Sequence, residues 1–231
     1  MSIFEVLEVA CPACGLEQPF SVLHSVNADR RPDLREAILQ GELQAETCGG
    51  CGAAFQLDPT LTYFDATHGL WVVARPWAER VEWAAEEERA RAAFHLSFGR
   101  EAPPSAQAIG RKLRARVTFG WAALREKVAL AVAGVDDTSI ELVKLALLRD
   151  GAVDGVSDDA TLRLVALDAE SLTFQFVNDA TATGGDIFTV PRALLDAVGA
   201  DSPEWAPLRA ELGGLYVDVD RLFVEPTAAV G

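Results

Sequence analysis

Two short cysteine motifs carry the chemistry of this chain, Cys11-Pro12-Ala13-Cys14-Gly15 and Cys48-Gly49-Gly50-Cys51-Gly52, and they contain all four of its cysteines. Two thiolates separated by two residues share one ion when the backbone turns tightly between them, and two such pairs complete a tetrahedral shell of four soft ligands. Zinc prefers that shell. Pro12 fixes one backbone angle of the first turn, and Gly15 and Gly52 allow the positive φ that a knuckle needs after its second cysteine. The spacing therefore predicts one structural zinc ion on Cys11, Cys14, Cys48 and Cys51. Iron in a rubredoxin-like site would use the same ligands. A thioredoxin-type redox motif would want its first cysteine at a helix N-terminus after a buried strand; the trailing glycines and the second, matching pair point to a metal instead. Paired disulfides would call for an oxidising compartment, of which the sequence gives no sign.

Little else resembles a reaction centre. The three histidines, His24, His68 and His95, sit in no nucleophile or base motif, and no phosphate-binding glycine loop is present. A metal held by four cysteines keeps no open coordination position. The sequence thus points away from an enzyme, with a metal-dependent hydrolase or thiol-redox enzyme as the alternative. Asp179, Asp186, Asp218 and Asp220 are considered as a cation site but are more simply strand and turn residues.

The net charge of −15 repels phosphate backbones, which argues against a nucleic-acid-binding zinc ribbon, the second alternative. The charge is uneven: about −6 over residues 1–75, +2 over 76–149 and −11 over the rest. A basic stretch of Arg111, Lys112, Arg114, Arg116, Arg125 and Lys127 is expected to pair internally with the acidic remainder. Half the residues are hydrophobic, enough for a sizeable core. No apolar run reaches the roughly 18 residues of a membrane span, and no basic-then-apolar leader opens the chain, so no membrane association and a cytoplasmic location are expected.

The elements that must position the cysteines follow from periodicity. Strands are predicted over Ile3–Val9, Pro19–Val26, Leu43–Thr47 and Phe55–Asp58, with a short helix opening near Pro32 and stopping at Gly41. Leu61–Asp65 and Leu70–Val73 form a hairpin around His68-Gly69. A helix is predicted over Pro76–Phe98, with Glu86-Glu87-Glu88 on a solvated face. Helices over Trp121–Ala133 and Thr138–Leu148 follow, the second capped by Glu141 reaching back to Thr138, and Lys144 laying its stem along apolar surface. Beyond a turn-rich acidic connection over 151–159, a hairpin over Thr161–Leu167 and Leu172–Val177 and a strand over Ile187–Val190 are expected. Helices from Pro191 and Pro203 come next, then strands over Leu215–Val219 and Leu222–Val224. The fold class is α+β: a zinc-ribbon-like β module with a short inserted helix (1–75), a helical middle (76–150) and a small α+β unit (151–231).

The order Cys-Pro-x-Cys-Gly, Asn27 to Leu34, Gly41-Glu42-Leu43 and Thr47-Cys48-Gly49-Gly50-Cys51-Gly52 resembles the bacterial CpXC domain family. The resemblance covers about the first 75 residues and extends to Leu124-Arg125-Glu126-Lys127 and the helix after Asp136-Asp137. It implies a zinc-binding bacterial protein with the four cysteines as ligands and no established activity. The expected role is that of a structural zinc protein that engages a protein partner or a second copy of itself.

Overall fold

The computed structural model describes residues 2–149, 160–178, 183–199 and 203–227. The chain is mixed α+β, with strands and the clustered cysteines at the N-terminal end, helices in the middle and strands again near the C-terminal end. Strands β1 (Ile3–Ala10) and β2 (Glu17–Asn27) form an antiparallel hairpin whose turn is the first knuckle. Helix α1 (Pro32–Gln40) begins on Pro32, whose missing N–H would have no helical acceptor anyway, and ends at Gly41 in the left-handed conformation, φ +74°. Strands β3 (Ala45–Thr47) and β4 (Ala54–Gln56) close a second hairpin around the second knuckle. Strands β5 (Leu61–Asp65) and β6 (Leu70–Arg75) flank the His68-Gly69 turn.

Helices α2 (Trp83–Phe98) and α3 (Pro104–Gly110) lead to strand β7 (Arg114–Phe119) and then to helices α4 (Gly120–Ala133) and α5 (Asp137–Arg149). Strands β8 (Thr161–Leu167), β9 (Ser171–Asn178) and β10 (Thr183–Pro191) and helices α6 (Leu194–Ala197) and α7 (Ala206–Glu211) follow.

The main sheet has the order β1-β2-β5-β6-β7. The β2/β5 and β6/β7 pairs are parallel, and the others are antiparallel. Parallel neighbours need crossover connections. The first crossover carries α1 and the β3–β4 ribbon, so the second pair of cysteines hangs from a connection rather than from the sheet itself. The second carries α2 and α3. Adjacent residues of β6 enter different cores, as a period of two demands. Val72 packs with Leu23, Ile38, Leu124 and Val128 under α1 and α4. Trp71 packs with Trp77, Val117 and Phe119, against which Phe94 and Phe98 of α2 lie. A further core joins α5 to the β8–β10 sheet through Ile140, Leu142, Leu162, Phe174 and Leu212.

Several expectations are corrected. Arg114–Phe119 is the edge strand β7, parallel to β6, inside the region expected to be helical; its Arg116 and Arg114 do pair internally, but with Asp137 of α5 rather than with the acidic C-terminal third. The sheet therefore draws strands from both sides of residue 75. Residues 77–82 form a 3₁₀ turn ahead of α2 instead of its first turns. Leu215–Val219 and Leu222–Val224 are not strands. The segment instead satisfies its polar groups singly: Leu215 accepts from the Val117 N–H and donates its own to Glu87, and Asp218 caps a 3₁₀ turn over Val219–Leu222. Glu86 and Glu87 are buried, not solvated, because Arg75 and Arg89 pair with the first and Arg91 and Arg221 with the second. Among the described residues, Asp186, Asp218 and Asp220 form no cation site, in line with their reading as strand and turn residues: Asp218 is buried against Arg163, Asp220 faces Arg80 and Asp186 is exposed on β10; Asp179 lies outside the described residues. The 151–159 connection lies outside them as well.

The largest correction concerns Glu141 and Lys144. Asp136, not Glu141, caps α5, accepting from the N–H and hydroxyl of Ser139 at 3.0 and 2.7 Å. Glu141 and Lys144 are both fully buried. Lys144 Nζ donates to Glu126 at 2.6 Å and to Glu141 at 3.1 Å, and Lys127 Nζ donates to Glu141 at 2.9 Å. Arg116 grips Asp137 with two hydrogen bonds of 2.7 and 2.9 Å. The C-terminal unit plugs into this group. The Leu164 N–H donates to Glu126 at 2.5 Å and the Val219 N–H to Glu141 at 3.0 Å, and Arg163 pairs with Asp218 nearby. Burial pulls the Lys127 ammonium down, but Glu141, Asp137 and Glu126 outweigh it and hold it above its ordinary range. Burial opposes ionisation of Asp137, yet Lys127, Arg116 and Arg114 keep it well below the usual carboxylate range; Arg163 and the two lysines do the same for Asp218.

Candidate metal centre

The two hairpins deliver their knuckles to one point. In each, the glycine after the second cysteine donates its N–H to the carbonyl of the first: Gly15 to Cys11 at 2.8 Å and Gly52 to Cys48 at 2.9 Å. Each glycine has a left-handed backbone, φ +74° and +73°. The first cysteine's own N–H returns to the carbonyl just past the turn, Cys11 to Leu16 at 3.0 Å and Cys48 to Ala53 at 2.9 Å. The knuckles thus repeat one local structure, dictated by the repeated C-x-x-C-G pattern.

All four sulfurs lie within 4.8 Å of one another. The Cys11–Cys51 and Cys14–Cys48 separations are 3.8 and 3.7 Å. A tetrahedral ion with metal–sulfur bonds of about 2.3 Å needs sulfurs about 3.8 Å apart. The donor set and its spacing therefore fit a transition metal. The pairs interleave, since each close contact joins a sulfur of one knuckle to a sulfur of the other. The first cysteine of each pair is buried (Cys11, Cys48) and the second is exposed (Cys14, Cys51), so the centre has one face in the protein and one at the surface.

Charge on the sulfurs is supported locally. Cys48 Sγ faces the N–H groups of Gly50 and Cys51, at 3.4 and 3.5 Å, and the Gln18 amide at 3.1 Å. The Cys51 N–H leads the influences that draw its thiol down to about 6. At Cys14 the Leu16 N–H favours the thiolate, but the neighbouring sulfurs of Cys51, Cys11 and Cys48 prevail and push it up to about 12. Four thiols crowded together cannot all ionise without a cation between them, which is the condition a divalent ion relieves.

Two glutamines hold the ribbon to the sheet, and sequence reasoning passed over both. Gln18, on β2, donates to Cys48 Sγ and accepts the Gly49 N–H at 2.8 Å, so one side chain fastens the first hairpin to the second knuckle. Gln44, the one described non-glycine residue with positive φ (59°), accepts the Leu23 N–H at 2.5 Å and donates to the Ser21 carbonyl at 2.9 Å. Its amide stands in for a strand backbone beside β2. Phe20 and Phe55 meet edge to face at 5.5 Å and pack the two hairpins together. Only the polar character of these glutamines, beside a knuckle and before β3, could have drawn attention to them.

The histidines are not brought to the cysteines. His68 Nδ1 lies 2.8 Å from the buried Asp65 carboxylate, which also accepts from Tyr63 and Arg35, so it stays a turn residue as expected. His24 stands beside Glu5 on the β1–β2 hairpin, and His95 is on α2. No described helix is long and apolar enough to cross a membrane.

A family model described as CpXC protein matches residues 9–144, more than half of the chain. The matched span holds the four clustered cysteines, the main sheet from the end of β1 onward, α4, and α5 as far as Lys144; β8 to β10 lie beyond it. Among curated proteins and among solved structures, no match is found.

Proposed function

This chain belongs to the CpXC protein family, and from that premise we propose that Cys11, Cys14, Cys48 and Cys51 bind one structural zinc ion in a module whose task is to engage another protein. The observation that carries the metal reading is the pair of cross-knuckle sulfur separations, 3.7 and 3.8 Å, which match the edge of a zinc–thiolate tetrahedron. Four thiolates fill that shell, so the ion's role is architectural: it joins two hairpins that also meet through Phe20 and Phe55.

The partner reading is supported by β1. It is the outermost strand of the main sheet, and Ile3, Phe4, Val6 and Leu7 are exposed along it, Val6 by 69%. A long apolar edge with an open row of backbone donors and acceptors is a template for a strand from another chain. A structural ion at the root of the same hairpin would hold that edge in register. Metal analysis of the reduced protein is expected to return one equivalent of zinc, halved or worse in Cys14→Ser. Light scattering across a concentration series, or a co-purifying protein, is expected to reveal association that Val6→Lys abolishes. Substoichiometric metal overturns the first half of the proposal. A concentration-independent monomer that captures no protein overturns the second.

A further inference from the structure

A cleft of about 600 Å³ opens between the ribbon and helix α4, and nothing in the metal reading uses it. That size lies within the range of small-molecule sites, about 300–1,000 Å³. Its walls are mixed: the apolar side chains of Ile38, Leu43, Phe55, Leu57 and Trp121 alternate with polar groups. The polar side chains along it are already engaged. The Trp121 indole N–H donates to the Leu57 carbonyl at 2.7 Å, and Gln56 donates to the Leu43 carbonyl at 2.8 Å. Gln40 donates to Glu36 at 2.8 Å. The indole therefore offers the cleft only its ring.

Arg125 is the exception. It is half-buried in the cleft wall, yet among the described residues its guanidinium has no hydrogen bond or ion-pair partner. Its chain neighbours Glu126 and Lys127 turn inward to the buried ion group, and Arg125 points the other way, over the C-terminal end of α1. There a Cβ added at Gly41 would come within 3.0 Å of Arg125 Nη1. A helix C-terminus favours a cation without saturating its donors, and the carbonyls of Ala37 and Ile38 at that end already accept from Gly41, Glu42 and Leu43. The guanidinium thus keeps a planar fork of N–H groups free beside an aromatic wall, the arrangement that grips a carboxylate with two parallel bonds. The other charged group of the lining, Asp58, is exposed at the mouth and does not pair with Arg125.

We infer that this cleft is a binding site for a small carboxylate with an apolar body, the carboxylate held by Arg125 and the body lying against Trp121 and Phe55. The inference does not depend on which metal the cysteines hold.

The test uses the full chain as purified and two probes of matched shape, 4-phenylbutyrate and the neutral 4-phenylbutanol, followed by the NMR shift of the Trp121 indole N–H. Wild-type protein is expected to bind the acid about tenfold or more tighter than the alcohol, as a charge-assisted bidentate contact implies. Arg125→Gln should bring the acid down to the level of the alcohol while leaving the alcohol unchanged, and Arg125→Lys should restore part of the difference. Asp58→Asn should bind the acid as well or better. Equal binding of acid and alcohol to the wild type overturns the inference without any variant. So does an acid affinity indifferent to Arg125→Gln, or an unmoved Trp121 signal at millimolar probe.

Discussion

Lys144→Met removes one charge from a group that has no access to water. Lys144, Glu126 and Glu141 are each fully buried, and the ammonium lies 2.6 Å from one carboxylate and 3.1 Å from the other. Apart from the half-exposed Arg114, which also reaches Asp137, the surrounding set balances: Lys127, Lys144, Arg116 and Arg163 face Glu126, Glu141, Asp137 and Asp218. Methionine fills most of the lysine's volume, so the loss is electrostatic rather than a cavity. Breaking a buried pair by removing one partner costs about 3–5 kcal/mol, because the other charge stays buried without compensation. Against a total of roughly 5–15 kcal/mol for a domain, that is a large fraction. In a urea titration with a slope near ~3 kcal/mol/M it moves the midpoint down by more than about 1 M. The double variant Glu126→Gln/Lys144→Met restores neutrality and keeps an acceptor for the Leu164 N–H. It is expected to recover about 1–3 kcal/mol of the loss. Arg31→Ala, which breaks an exposed pair with Asp33, should leave the midpoint in place. A Lys144→Met protein within about 1 kcal/mol of wild type, or a double variant no better than the sum of its parts, would refute the view that charge balance holds this interface.

Other outcomes follow from the same structure. Gln18→Ala strips Cys48 Sγ of one donor and frees the Gly49 N–H, so metal affinity in a competitive chelator titration should fall about 10–100-fold with the four sulfurs intact. Stripping the metal with a strong chelator should expose residues 41–60 to limited proteolysis and lower the thermal midpoint, because the ribbon has little core of its own; an unchanged midpoint would disprove a structural ion. Asp220 is held up near about 6 by burial first and by Asp218 second. Its folded-state value exceeds its unfolded one, so ionisation opposes folding: the penalty is absent below about pH 4, grows as pH rises and is complete above about 6. Asp220→Asn should therefore stabilise the protein by on the order of 1 kcal/mol at pH 7.5 and by almost nothing at pH 4, and a gain equal at both pH values would contradict the assignment.

The cysteine cluster was legible because each half of it is local. C-x-x-C-G specifies a turn within five residues, and two copies of it specify four sulfurs, whatever lies between. The hairpins around the knuckles, α1 with Pro32 and Gly41, and the amphipathic part of the C-terminal unit were legible for the same reason: their signals repeat at the period of the element. The sequence was silent wherever a charged residue is buried. Glu86, Glu87, Glu141 and Lys144 look like surface residues by type, and the arginines of Arg114–Phe119 hide the alternation of an edge strand.

By itself, then, the amino-acid order determined the four clustered cysteines, the knuckles and the hairpins and helix around them, all set by contacts within a few residues. Tertiary structure alone decided that the two knuckles interleave, that Gln18 and Gln44 tie the ribbon to the sheet, and that Arg125 finds no partner among the described residues and lies over a cleft. It also decided that a ring of opposite charges lies between α4, α5 and the C-terminal unit. The physical reason is that a charge can be buried only when its partners arrive from elsewhere in the chain. Here they come from residues as far apart as Arg116 and Asp218, a coincidence in space that no local period records.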